Sequence, residues 1–180
     1  MYPCYRRNED GRSSKGIRYV QKKSPGPVLA FYLTLWPFQV DKCVSPFLTR
    51  DDLVVDSQNA VCKLYPEVFQ LLSYLSSLDV SLAIASRITD VAGAVQLLHN
   101  LLIRDFFDFV EIYPTRKTLH FIELKRKTGF EFEQMMFFDD DWRNIKAVSK
   151  LGVACYQVIG GVRLDFVKSV LIKLLQHYFF

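Results

Sequence analysis

Residues 135–141 read Met-Met-Phe-Phe-Asp-Asp-Asp, four large apolar side chains running directly into three carboxylates. An apolar run this short and this bulky predicts a parallel strand buried on both faces. The acids then emerge at its C-terminal end, the edge where open α/β sheets bind ligands. Three adjacent carboxylates repel one another unless a cation or a lysine compensates. Two readings stay open here. Asp140 or Asp141 caps the helix expected over 142–150, or the acids hold a hard cation such as Mg²⁺, which takes one or two carboxylates plus water and phosphate oxygens.

The same rhythm recurs along the chain. Apolar runs predict strands at 28–33, 80–85, 109–113 and 153–158, and 3.6-residue periodicity predicts helices between them. Pro66 is expected at the first position of a helix carrying Val68, Leu71, Leu72, Leu75 and Leu78. Thr89 or Asp90 is expected to cap a helix through Val91, Val95, Leu98 and Leu102. A helix over 118–128 should close on Gly129, and a last one should span 164–178. Residues 39–64 mix short apolar pieces with polar ones and predict a flap or hairpin. Strands alternating with helices imply an α/β fold with a doubly wound parallel sheet.

A chain of 180 residues suits one domain, and its 50% apolar, 23% charged composition is that of an ordinary globular protein. The net charge of +4 is misleading. Residues 1–26 carry Arg6, Arg7, Arg12, Lys15, Arg18, Lys22 and Lys23 against Glu9 and Asp10, seven charges less two, or +5. The rest is therefore −1. Basic character belongs to a polar tail over 1–26, expected to be disordered, and a single domain is expected over 27–180. Nucleic acid is disfavoured as a partner, and no apolar run reaches the ~20 residues of a membrane span. Cys4, Cys43, Cys62 and Cys155 form no CxxC pair, which argues against zinc. Dispersed cysteines suggest a reducing compartment, so a cytoplasmic location is expected.

Three groups are expected at the C-terminal ends of successive strands. Ser86 precedes a helix N-terminus, where a hydroxyl and free N–H groups cradle phosphate; it could equally be a plain cap. Lys117 stands at a loop–helix junction and could equally be solvated. Asp139 and Asp140 follow the fourth strand. A hydroxyl, an ammonium and paired carboxylates on one edge are what a phosphoryl group requires.

At this point the chain resembles the haloacid-dehalogenase superfamily of phosphohydrolases, in particular its eukaryotic magnesium-dependent phosphatases. The resemblance is carried by Thr34-Leu35-Trp36-Pro37-Phe38, Leu64-Tyr65-Pro66-Glu67-Val68, Ala85-Ser86-Arg87, Glu111-Ile112-Tyr113-Pro114, Lys117, His120-Phe121, Lys127-Thr128-Gly129 and Phe137-Phe138-Asp139-Asp140. It implies a Rossmann-like fold with sheet order 3-2-1-4-5 and a small flap at about 39–64 in place of a large cap. It implies phosphomonoester or phosphotyrosine hydrolysis through an aspartyl-phosphate, with Ser86 as phosphate binder and Lys117 as charge clamp. Ser86, Arg87, Lys117 and Trp36 would bind substrate, and Asp139 or Asp140 would ligate Mg²⁺. The implied partner is a phosphorylated small molecule or phosphotyrosine, met by a monomer without a membrane.

One departure outweighs these matches. The superfamily ends its first strand in Asp-x-Asp, nucleophile and then general acid/base, shortly before the threonine. Here Ala30-Phe31-Tyr32-Leu33 precedes Thr34, and no carboxylate lies between Asp10 and Asp41. Ala30 and Tyr32 stand where the acids belong, and a tyrosine near pKa 10 is a poor nucleophile at neutral pH. The expectations are a phosphatase-family member with little or no turnover and weakened Mg²⁺ binding, or a silent module that binds phospho-ligands or proteins. The lost motif adjoins the basic tail, so a different exon upstream of Thr34 would replace both together.

Overall fold

The computed structural model describes residues 28–31 and 34–179, with side chains from 34 to 173. The basic tail, Tyr32 and Leu33 at the end of the expected first strand, and the packing of Tyr178-Phe179-Phe180 lie outside the described residues.

Among the described residues, eight strands and five α-helices follow in the order β1 Val28–Phe31, β2 Leu48–Arg50, β3 Leu53–Val55, β4 Val61–Cys62, α1 Val68–Ser76, β5 Ser81–Ser86, α2 Val91–Asn100, β6 Phe109–Ile112, α3 Lys117–Thr128, β7 Met135–Asp139, α4 Trp142–Ser149, β8 Ala154–Gln157 and α5 Leu164–Phe179. The main sheet is parallel, in the order β6-β5-β1-β7-β8. Numbered by its own five strands, that is 3-2-1-4-5, the expected order. The flap is a small antiparallel sheet β2-β3-β4, preceded by a 3-10 turn over Val40–Lys42.

The strands read as continuous apolar runs because both sheet faces are covered. On β7, Met136 and Phe138 join a core with Leu71 and Leu72 of α1, Leu97 and Leu98 of α2 and Val167 of α5, while the flap adds Phe47, Val54 and Cys62. Met135 and Phe137, pointing the other way, join Phe121 and Leu124 of α3 and Val148 of α4. On β5, Ala83 and Ala85 face α3, and their small side chains leave room for the edge-to-face Phe121–Phe137 pair at 4.9 Å.

Two helix ends obey the sequence. Asp90 caps α2 by accepting from Gly93 N–H at 2.8 Å. Gly129 ends α3 with φ +74°, a left-handed conformation that costs glycine nothing. Several boundaries shift. Helix α1 begins at Val68, so Pro66 precedes it by two residues instead of opening it. Lys117 is the first residue of α3, not the residue before the helix. Ser86 and Asp139 are the last residues of β5 and β7, each one step further into the sheet than expected. Among the described residues, no helix is long and apolar enough to cross a membrane.

Phe137 is wholly buried between sheet and α3. Phe137→Ala should therefore cost about 3–5 kcal/mol of unfolding free energy, read as a fall in the urea midpoint at unchanged m-value.

Candidate functional site

The site follows from register. Phe31 of β1 lies opposite Ile84 of β5 on one side and Phe138 of β7 on the other. One residue beyond those partners come Ala85 and Asp139, and one beyond Ala85 comes Ser86. The topology therefore converges β5 and β7 at the carboxyl edge, flanking β1.

Lys117 joins the two. Its side chain enters from the first turn of α3, 2% exposed, and its ammonium donates to the Ala85 carbonyl and stands 3.7 Å from Asp139 Oδ2. Burial pushes the Lys117 ammonium well below its ordinary value, against the pull of Asp139. Burial likewise pushes the Asp139 carboxyl up to about 6, against Lys117, Asn144 and the Asp141 amide. Both shifts have one cause: the pair loses more hydration than a 3.7 Å contact restores.

The three adjacent acids take three roles. Asp141 is the helix cap, accepting from Arg143 N–H at 2.9 Å, and that arginine holds its carboxyl below the usual range. Asp139 is enclosed: Oδ1 accepts from Asp141 N–H at 2.8 Å, and Asn144 Nδ2 lies 3.1 Å from both carboxylate oxygens. Asp140 is exposed and lines an open cleft of about 360 Å³ with Gln39, Asp41, Arg87, Asp141, Arg143 and Asn144. Cap and acidic site thus coexist on successive residues.

Ser86 is 3% exposed, and its hydroxyl has no hydrogen-bond partner. The buried Thr34 hydroxyl is also unpartnered, although the Thr34 carbonyl accepts from Val162 N–H at 2.9 Å. A buried hydroxyl without a partner loses about 1–3 kcal/mol relative to one that is satisfied; the Trp36 indole N–H and the Thr115 hydroxyl are buried without partners as well. The Ser86 peptide is held by His120: Nε2 lies 2.8 Å from Ser86 O and Nδ1 3.1 Å from Arg116 O. Burial keeps this imidazole below its ordinary pKa, and a neutral ring has one proton to donate. Tyr113 stacks on it at 4.1 Å.

The structure thus brings Ser86, Lys117, Asp139 and Asp140 to one edge, with Arg87 at the rim of the cleft. Trp36 is 7% exposed within the larger core and stacked on Phe38 at 5.8 Å; like Ser86, Lys117 and Asp139, it does not line the cleft. Asn144 and His120 escape the sequence reading as site residues. Asn144 could have been found from its spacing: five residues after Asp139, in the first turn of a capped helix, it faces back to the strand end. His120 carries no such signal, because its role depends on a neighbouring strand's carbonyl.

The model of the acid phosphatase family matches residues 28–176. Human magnesium-dependent phosphatase 1 is 47% identical over 134 residues, covering 73% of this chain and 76% of the human protein. A HAD-like hydrolase superfamily protein of Schizosaccharomyces pombe is 30% identical over 139 residues, covering 70% of this chain and 80% of its own. A haloacid-dehalogenase family enzyme of Bacteroides thetaiotaomicron, crystallised with magnesium and inorganic phosphate, superposes with a TM-score of 0.51 at 17% identity. That alignment covers 59% of each chain, less than two thirds of that enzyme's length, and bears on the fold alone.

Lys117→Met should destabilise the chain by about 3–5 kcal/mol, because it leaves the Asp139 carboxylate buried without its counter-charge. Adding Asp139→Asn should recover part of that loss, measured as a non-additive double-mutant cycle in urea.

Proposed function

The chain belongs to the acid phosphatase family of the haloacid-dehalogenase superfamily, and on that premise we propose that it binds phosphomonoesters in the presence of Mg²⁺ and turns them over little or not at all. The observation that carries the reading is the unpartnered Ser86 hydroxyl, buried at the end of β5 one residue beyond the Ala85 carbonyl to which the Lys117 ammonium donates. A phosphoryl group would supply the acceptor that this hydroxyl lacks. Its oxygens accept from Ser86 Oγ–H, and its negative charge offsets the Lys117 ammonium in a site of low dielectric. Arg87, exposed at the cleft, is placed to meet the remainder of an anionic ligand.

The donor set for Mg²⁺ is short. Among the described residues, no three His, Cys, Asp or Glu side chains gather as a metal-binding group. Asp139 and Asp140 still fit an ion that keeps most of its water and shares phosphate oxygens. Burial raises the pKa of Asp139, and such an ion beside it would pull it down again. Bound there, Mg²⁺ would screen the carboxylates and polarise a phosphoryl oxygen.

Covalent chemistry is another matter. In this family an aspartate attacks phosphorus and a second aspartate handles the leaving group's proton. This chain has neither between Asp10 and Asp41. Removing a covalent nucleophile from an enzyme typically costs about a million-fold in turnover, or roughly 8 kcal/mol of barrier. What stays is recognition: a hydroxyl, an ammonium, two carboxylates and a flap. A small phosphorylated metabolite or a phosphotyrosine suits an open cleft of about 360 Å³.

With Mg²⁺ and para-nitrophenyl phosphate, the purified chain should show no burst and negligible steady-state turnover. Metal-dependent turnover that disappears in Asp139→Ala with Asp140→Ala would make the chain an active phosphatase at this site. Turnover that survives both changes would remove the site assignment as well.

A further inference from the structure

The first half of the flap reaches the core through one side chain. Of residues 41–53, all of them described, only Phe47 is buried. Its ring, 1% exposed, joins the larger core with Val54 and Cys62 of the flap and Leu97 and Leu98 of α2. Its backbone is held from both sides. Phe47 N–H donates to Gln96 Oε1 at 2.8 Å, and Asn100 Nδ2 donates to Phe47 O at 2.9 Å. Gln96 and Asn100 are half-buried and stand four residues apart on α2. That spacing puts them on one face, about 6 Å apart along the helix axis. Two side-chain amides thus do for Phe47 what an antiparallel strand does for the residue opposite, meeting both its N–H and its C=O. The partners fix which amide atom faces which: a backbone N–H needs the glutamine oxygen, and a backbone carbonyl needs the asparagine nitrogen.

We propose that Gln96 and Asn100 are positioning residues: by gripping Phe47 they latch the flap to α2 and so hold the cleft wall formed by Gln39 and Asp41. Neither amide lines the cleft, so both act through the chain between. The consequence for ligands rests on the proposed phosphate reading; the latch itself does not.

The chain between is continuously bonded. In the 3-10 turn, Lys42 N–H donates to Gln39 O and Cys43 N–H to Val40 O, each at 3.0 Å. Val44 N–H donates to Asp56 Oδ2 at 3.2 Å, and Ser57 N–H returns to Val44 O at 2.9 Å. Asp56, 2% exposed, also accepts from Gln58 N–H at 2.9 Å and Ala60 N–H at 2.8 Å. Wall, turn and hairpin therefore form one hydrogen-bonded piece. Val40, Val54 and Cys62 add buried apolar surface to it, which attracts without direction. The two amide bonds to Phe47 supply direction, and they set where the piece sits on α2.

The atoms involved set a test that a general packing role would not pass. Gln96 accepts, so Gln96→Glu keeps an acceptor and should keep the latch, whereas Gln96→Met, similar in length, should lose it. Asn100 donates, so Asn100→Asp turns an acceptor toward the Phe47 carbonyl and should lose the latch too. Exchanging an amide for a carboxylate thus has opposite outcomes at the two positions. The full chain and these variants are compared by amide hydrogen exchange with mass spectrometry, and by calorimetric titration with inorganic phosphate and with phenyl phosphate in Mg²⁺ buffer. In Gln96→Met and Asn100→Asp, exchange across residues 39–50 should rise about tenfold or more, as when a buried partner is left unpaired. Exchange in β5 and β7 should stay native, and Gln96→Glu should match the native chain throughout. Phenyl phosphate, which extends past the phosphoryl group, should bind about fivefold more weakly to the two unlatched variants, with inorganic phosphate within about twofold. Native exchange in both unlatched variants, equal loss in Gln96→Glu, or a rise spread to β5 and β7 would overturn the latch. A rise confined to 45–50, or equal weakening of both ligands, would overturn the hold on the cleft wall. If the native chain binds neither ligand, the phosphate reading fails and exchange alone decides the latch.

Discussion

A buried lysine linking two strand ends is the contact on which the rest of the arrangement depends. Lys117 reaches from the start of α3 to the Ala85 carbonyl at the end of β5 and to Asp139 at the end of β7. Its stem lies under the sheet edge, with the ammonium 5.8 Å from the Phe137 ring centroid. Such a group is expensive to bury, and Asp139 stands 3.7 Å from it. On the proposed reading, a phosphorylated ligand would meet the lysine and a divalent cation the aspartate. The same contact orders the site geometrically, because it fixes how far the ends of β5 and β7 stand from one another.

Much of this was legible in the residues. Apolar runs located five parallel strands, and their alternation with helices gave the sheet class. The resemblance of Ser86, Lys117 and Asp139-Asp140 to a phosphohydrolase supplied strand order. The flap was visible because residues 39–64 lack helical periodicity and carry polar interruptions. What could not be read were properties created by neighbours. Trp36 sits in a motif that implied ligand contact, but its indole fills core volume beside Phe38. Pro66 suits a helix start, yet α1 begins two residues later. The boundaries at Ser86 and Asp139 shifted because pairing across the sheet, not local propensity, decides where a strand stops. His120 was invisible because the carbonyl it serves belongs to β5, thirty-four residues away.

The chain combines a retained recognition edge with a changed first strand. Register still carries β1 between β5 and β7, so the scaffold is independent of the acids that the family places after it. On the proposed reading, phosphate recognition would rely on β5, α3 and β7, whose residues are present, while the acids that the resemblance places at the end of the first strand are absent from the sequence.

The central claim is tested most directly by calorimetric titration of the native chain and of Ser86→Ala with inorganic phosphate in Mg²⁺ buffer. The account predicts saturable one-to-one binding by the native chain, weakened about tenfold or more when the hydroxyl is removed, as expected for a charge-assisted hydrogen bond. Absence of binding, or binding indifferent to Ser86, would contradict it.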